Sequence, residues 1–97
     1  MPWDPEAERV LRALVDMVPE TLRELARATG RDESELAAQD RGAPAVDPVD
    51  VIRGWIRTTP PEQRDGLVEV IDGLGFEPET FANDLGSVEG WEEEGEE

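Results

Sequence analysis

The chain has no cysteine, no histidine, no tyrosine and no lysine, and all nine of its basic residues are arginine. Without cysteine there is no disulfide staple, no thiolate metal site and no thiol nucleophile. Without histidine the commonest general base and metal ligand is missing. No apolar run approaches the roughly 20 residues a helix needs to span a bilayer. The N-terminus lacks a basic region followed by an apolar stretch, so no secretory leader is expected, and the expected location is cytoplasmic. There is no glycine-rich phosphate loop and no zinc-ligand spacing. Asp84-Leu85-Gly86-Ser87 lacks the alternating oxygen ligands and terminal glutamate of a calcium loop. No catalytic residue, cofactor site or metal site is therefore expected.

What the chain has in excess is negative charge. Its 97 residues carry 25 acids against nine arginines, a formal net charge of -16. A small soluble domain usually carries roughly 2–8 units. Self-repulsion on this scale works against a compact state in dilute buffer, and salt or a basic partner relieves it. Two origins are open. One is a halophilic-type composition, as in organisms with a salt-filled cytoplasm. The other is imitation of a nucleic-acid backbone. Six acids lie in the last twelve residues, yet the preceding 85 residues still carry a net charge of -10. A bias spread through the body favours salt adaptation. Direct binding to nucleic acid is not expected of this charge.

The composition is 37% hydrophobic, enough for one modest core. Breaker residues divide the chain into helices. Asp4-Pro5 reads as an N-cap with proline at the first helical position. Ala7, Val10, Leu11, Leu14 and Met17/Val18 then recur at helical spacing up to Pro19. A short helix fits residues 20–29, with Leu22, Leu25 and Ala26 inward and Gly30 as its stop. Asp32 and Glu35 form a capping box for a third helix through Leu36, Ala37 and Ala38. Residues 39–46 read as a loop. Asp47-Pro48 repeats the cap-plus-proline signal, and Val51, Ile52, Trp55 and Ile56 give the next helix its buried face. Thr59-Pro60, with Glu62, caps a further helix carrying Leu67, Val70, Ile71 and Leu74 and ending at Gly75. A last short helix around residues 78–85 covers the core through Phe81 and Leu85. No alternating strand pattern competes.

The chain also repeats itself. Residues 10–24 (VLRALVDMVPETLRE) and 51–65 (VIRGWIRTTPPEQRD) align without gaps at an offset of 41, with four identities: Val10/Val51, Arg12/Arg53, Pro19/Pro60 and Arg23/Arg64. The apolar positions agree as well, and each unit leads to a helix ended by glycine, Gly30 or Gly75. The expected fold is all-α, a compact bundle of about five short helices with two related halves. One domain spans residues 1–85, with units 3–40 and 47–85, followed by a flexible acidic tail at 86–97.

The opening residues Trp3, Pro5-Glu6-Ala7, Val10-Leu11, Pro19-x-x-Leu22-Arg23, Ala26 and Gly30 resemble the small helical domain at the C-terminus of the light-independent protochlorophyllide reductase B subunit. The likeness covers residues 1–40, and Leu22 sits one place later than the hydrophobe of the family's proline element. It implies a helical fold and an accessory role in a reductase complex. That family's iron–sulfur and substrate chemistry lies mainly in other domains, so the likeness assigns no catalytic residue here.

Residues 21–36 also imitate a helix-turn-helix, but Asp32, Glu33 and Glu35 crowd the second helix and would repel phosphate. Arg23, Arg27 and Arg31 are spaced by four. They form either an anion-binding stripe or i,i+4 pairs with Glu20, Glu24 or Glu35. Trp55 reads as core. Trp3 and Trp91 are the aromatic interaction markers, Trp91 within an acidic tail. The expected function is that of a non-enzymatic protein-interaction or accessory module acting as a monomer or weak homodimer. Trp3, Arg23, Arg27, Arg31 and Trp91 are its candidate partner-binding residues. The alternatives are an acidic nucleic-acid mimic that binds a DNA-binding protein, and the reductase accessory domain. If the acids reflect salt adaptation, the midpoint of thermal unfolding rises steadily from low to high salt; a flat response contradicts it.

Overall fold

The computed structural model describes residues 1–86; the acidic tail proposed for 86–97 lies, beyond Gly86, outside them. The described residues form an all-α bundle of five short helices: α1 (Pro5–Asp16), α2 (Arg23–Asp40), α3 (Pro48–Thr58), α4 (Asp65–Gly73) and α5 (Ala82–Gly86). Single 3₁₀ turns precede α2 (Glu20–Leu22), α4 (Pro61–Gln63) and α5 (Pro78–Phe81). The nearest approach to sheet among them is one isolated parallel bridge between Trp3 and Val46. The core gathers Val10, Leu11, Leu14 and Val15 of α1, Val51, Ile52 and Ile56 of α3, Ile71 of α4 and Phe81. Those positions follow the helical spacing read from the sequence.

The largest departure from the sequence reading is α2. Residues 20–29 and 32–38 were expected as two helices parted at Gly30, yet one helix runs unbroken from Arg23 to Asp40. Gly30 is a packing residue, not a stop. A methyl group on its Cα would lie 3.0 Å from Leu11 Cδ1 and 3.1 Å from the Trp55 ring. The helix-turn-helix and the Asp32–Glu35 capping box fall with the break. Asp32 is an exposed mid-helix residue, and Glu35 instead accepts a hydrogen bond from Trp3 Nε1 at 2.9 Å. Helix α2 actually ends at Gly42, whose φ is +71°. There Gly42 N–H donates to Gln39 O and Ala43 N–H to Ala38 O, the paired bonds of a Schellman stop. Gly75, with φ +93°, ends α4 in the same way, as expected.

The tightest point of the bundle lies where α2 crosses α3, the two helices in most extensive contact. A Cβ on Gly54 would stand 2.6 Å from Ser34 N and 2.8 Å from Glu33 C, both backbone atoms that cannot rotate away. Ser34 is fully buried, and its hydroxyl donates to Gly30 O at 2.6 Å, so no polar group is orphaned there. The buried face of α2 is accordingly a stripe of small residues, Gly30, Ser34, Ala37 and Ala38. Leu22 and Leu25, expected inward, are 51% and 67% exposed.

Of the three other caps read from sequence, two differ in detail. Asp47 makes the expected cap on α3, and Asp50 completes a reciprocal box with it. Asp4 precedes Pro5 at the start of α1, but its side chain caps nothing. Thr59 does not cap α4 either; its hydroxyl donates back to Trp55 O at 2.9 Å. Pro60 and Pro61 first impose a 3₁₀ turn, so α4 begins only at Asp65. Asp50 is fully buried, and desolvation alone would raise its carboxyl pKa. Two 2.7 Å bonds from the Arg41 guanidinium and one from Asp47 N–H outweigh this and hold it below the usual value.

Gly54→Ala therefore destabilises the fold by about 1–3 kcal/mol through overpacking. Gly66→Ala, with open space around its Cα, stabilises it by about 0.5–1 kcal/mol through helix propensity. Urea titration of both variants checks the opposite signs. Because the folded Asp50 pKa is depressed, its stabilisation is present above the unfolded value near 3.8 and is lost as pH falls through the folded one. The stability gap between wild type and Asp50→Asn is thus full at about pH 6 and shrinks below about pH 4. A gap constant with pH contradicts the assignment.

Candidate functional site: an apolar groove between the two halves

The 41-residue repeat extends into three-dimensional detail. The 3₁₀ turns at 20–22 and 61–63 occupy equivalent positions. The prolines before them share one conformation, φ -54° and ψ 144° at Pro19, φ -58° and ψ 146° at Pro60. In each unit the arginine after the turn reaches back to the carbonyl five residues earlier. Arg23 Nε donates to Val18 O at 2.8 Å, and Arg64 Nε donates to Thr59 O at 3.0 Å. Arg23 also bonds Asp16 O at 2.9 Å. Each guanidinium thus holds orphan carbonyls at the end of one helix while standing at the start of the next. Arg64 is nearly buried; desolvation lowers its pKa and the nearby Asp84 charge opposes that.

Between these two turns lies a groove of about 550 Å³, within the usual range for a binding pocket. Its walls are equivalent positions of the two units. Leu14 matches Trp55, Val18 matches Thr59 and Ala26 matches Leu67. The same offset relates Met17 to Thr58, Leu22 to Gln63 and Thr29 to Val70. The groove therefore straddles the junction of the two halves. The two sides differ in chemistry. On the first side Met17, Leu22 and Leu25 are all more than half exposed. Their counterparts Thr58, Gln63 and Gly66 are polar or bare. Trp55, expected in the core, is half-buried: it packs on the core with one part and lines the groove with another.

The candidate residues named from the sequence do not assemble into one face. Trp3 is fastened to α2 through Glu35, and the Arg31 guanidinium lies 4.2 Å from its ring centroid, a cation–π contact. Arg31 also pairs with Glu8 at 3.2 Å. Arg23 is occupied by backbone carbonyls. Arg27 is exposed, so the three arginines share no anion site. Trp91 lies outside the described residues. The rim residues Met17, Leu22 and Leu25 were missed because each was counted as helix-stripe core. The signal that finds them is the stripe of small residues in α2, which marks the buried face and leaves Leu22 and Leu25 off it.

Among the described residues the groove lining contains no ionisable side chain; the polar side chains in it are threonines, Gln63 and, through its indole N–H, Trp55. Also among them, no helix is long and apolar enough to cross a membrane, and no cluster of histidine, cysteine or acidic side chains is placed to hold a metal ion. Compared with protein-family models, with curated proteins and with solved structures, the chain matches none.

Proposed function

We propose that this protein is a non-catalytic interaction module whose working surface is the groove between its two halves. The observation that carries this reading is the clustering of exposed large apolar side chains. Met17, Leu22 and Leu25 stand together at one concave opening. Single exposed leucines are ordinary on a protein surface, but a contiguous apolar patch at a groove marks a contact site. An apolar lining without an acid, a base or a nucleophilic cysteine favours binding over turnover. A nucleic-acid mimic would act through its carboxylates and would leave this groove without a role.

Site-specific photocross-linking in the native host tests the proposal. A photoreactive residue at position 25 is expected to capture one predominant protein, and the same residue at position 79, on the short turn before α5, is not. Adducts of the same kind and yield from both positions overturn the groove as the working surface.

A further inference from the structure

Resting on that reading of the groove, we infer that its occupant is a basic amphipathic α-helix of another protein. Three observations select it. The first is backbone chemistry. The groove is walled by helices and tight turns whose backbone groups are largely used internally, and the one β-bridge among the described residues, Trp3 to Val46, is made by residues that take no part in the lining. An extended peptide would bury N–H and C=O groups against Leu14, Val18, Ala26 and Leu67 with no strand edge to meet them. A helix satisfies its own backbone and presents only side chains.

The second is the unlike pair of lips. Met17, Leu22 and Leu25 offer an apolar side, whereas Thr58, Thr59 and Gln63 offer a polar one. A helix with an apolar stripe beside a polar face matches both lips at once.

The third is charge. Asp16, Glu24, Glu62 and Glu69 are exposed and are immediate chain neighbours of lining residues. None of the four makes an ion pair with another described residue. Four arginines adjoin the lining as well: Arg57 pairs with Asp40 at 3.0 Å, Arg23 and Arg64 are held by backbone carbonyls, and Arg27 is exposed. The charges beside the lining thus come close to balance, and the field that favours lysine or arginine flanking an apolar stripe is that of the whole chain, net -16. The same charge disfavours two other occupants. A second copy brings another net charge of -16, and the chain's own last twelve residues bring six glutamates.

The test uses the full ¹⁵N-labelled chain and two synthetic peptides of roughly 18 residues, a length at which a helix can form on binding. Both carry leucine at i, i+3, i+7 and i+10; one has lysine and arginine on its polar face, the other glutamate. The basic peptide is expected to move the amide resonances of Leu25, Thr29, Thr59 and Gln63. It should bind at least about tenfold more tightly than the acidic one at low salt, with the ratio falling as salt rises. The double variant Leu22→Ser/Leu25→Ser removes exposed side chains only and should weaken the basic peptide about tenfold or more while its fold, followed by circular dichroism, is unchanged. If both peptides bind the groove equally, the basic-partner inference falls and the groove reading stands. If the basic peptide binds the serine variant as well as wild type, or moves resonances elsewhere, the groove itself is not the site and both fall. Self-association through the groove, read as resonances of Leu25 and Gln63 that shift with protein concentration alone, also overturns the inference.

Discussion

The contact on which the rest of the structure depends is the approach of Gly54 in α3 to the backbone of Glu33 and Ser34 in α2. No side chain separates the two helices there, and a single methyl would overlap main-chain atoms. This closeness lets the small-residue face of α2, Gly30 with Ser34, Ala37 and Ala38, lie against the bundle with little side-chain volume between. It also fixes where the groove opens. The α2 wall of the groove, Leu25, Ala26 and Thr29, lies wholly on the N-terminal side of Gly30. On the other side of Gly30 the helices are closed together at Ser34. Core and groove are thus two ends of one helix crossing.

Arginine does mostly structural duty in this acidic chain. Arg23 and Arg64 hold carbonyls across the two equivalent turns. Arg41 neutralises the buried Asp50 and binds Asp47. Arg53 joins α3 to α5 through Asp84, and Arg57 joins α3 to α2 through Asp40. Most of these pairs are half exposed and individually worth little. Arg41–Asp50 differs, because removing the cation would leave a carboxylate stranded in the interior. With most of the positive charge so committed, carboxylates outnumber arginines on the outward face. That field, more than any single pair, governs which partners can approach.

Much of the fold was legible in the sequence, for physical reasons that can be named. Proline after aspartate placed the starts of α1 and α3, and Gly75 placed the stop of α4, because these residues act on the backbone locally. The apolar spacing of α1 and α3 identified the core, because those faces bury large side chains. Helix α2 was misread because its buried face is made of small residues. A leucine count selects Leu22 and Leu25, which point out, and a rule that glycine ends helices selects Gly30, which is there for closeness. No local rule distinguishes a packing glycine from a terminating one. The repeat was visible as four identities, yet its content, two arginines bonding equivalent carbonyls and two turns framing one groove, needed the third dimension. The candidate binding residues failed to converge for a similar reason: spacing by four places Arg23, Arg27 and Arg31 near one another but does not say that carbonyls and Trp3 already engage two of them.

Helix α2 forms one continuous wall that passes through Gly30, and amide hydrogen exchange across residues 27–36 tests this most directly. A continuous helix locked against Gly54 gives slow exchange at Arg31, Asp32, Glu33 and Ser34, comparable to the core of α3. Rapid exchange at Arg31 to Glu33, beside protection at Ala26 and Ala38, would mean two helices joined by a turn. The crossing that closes one end of the bundle and opens the groove at the other would then not exist.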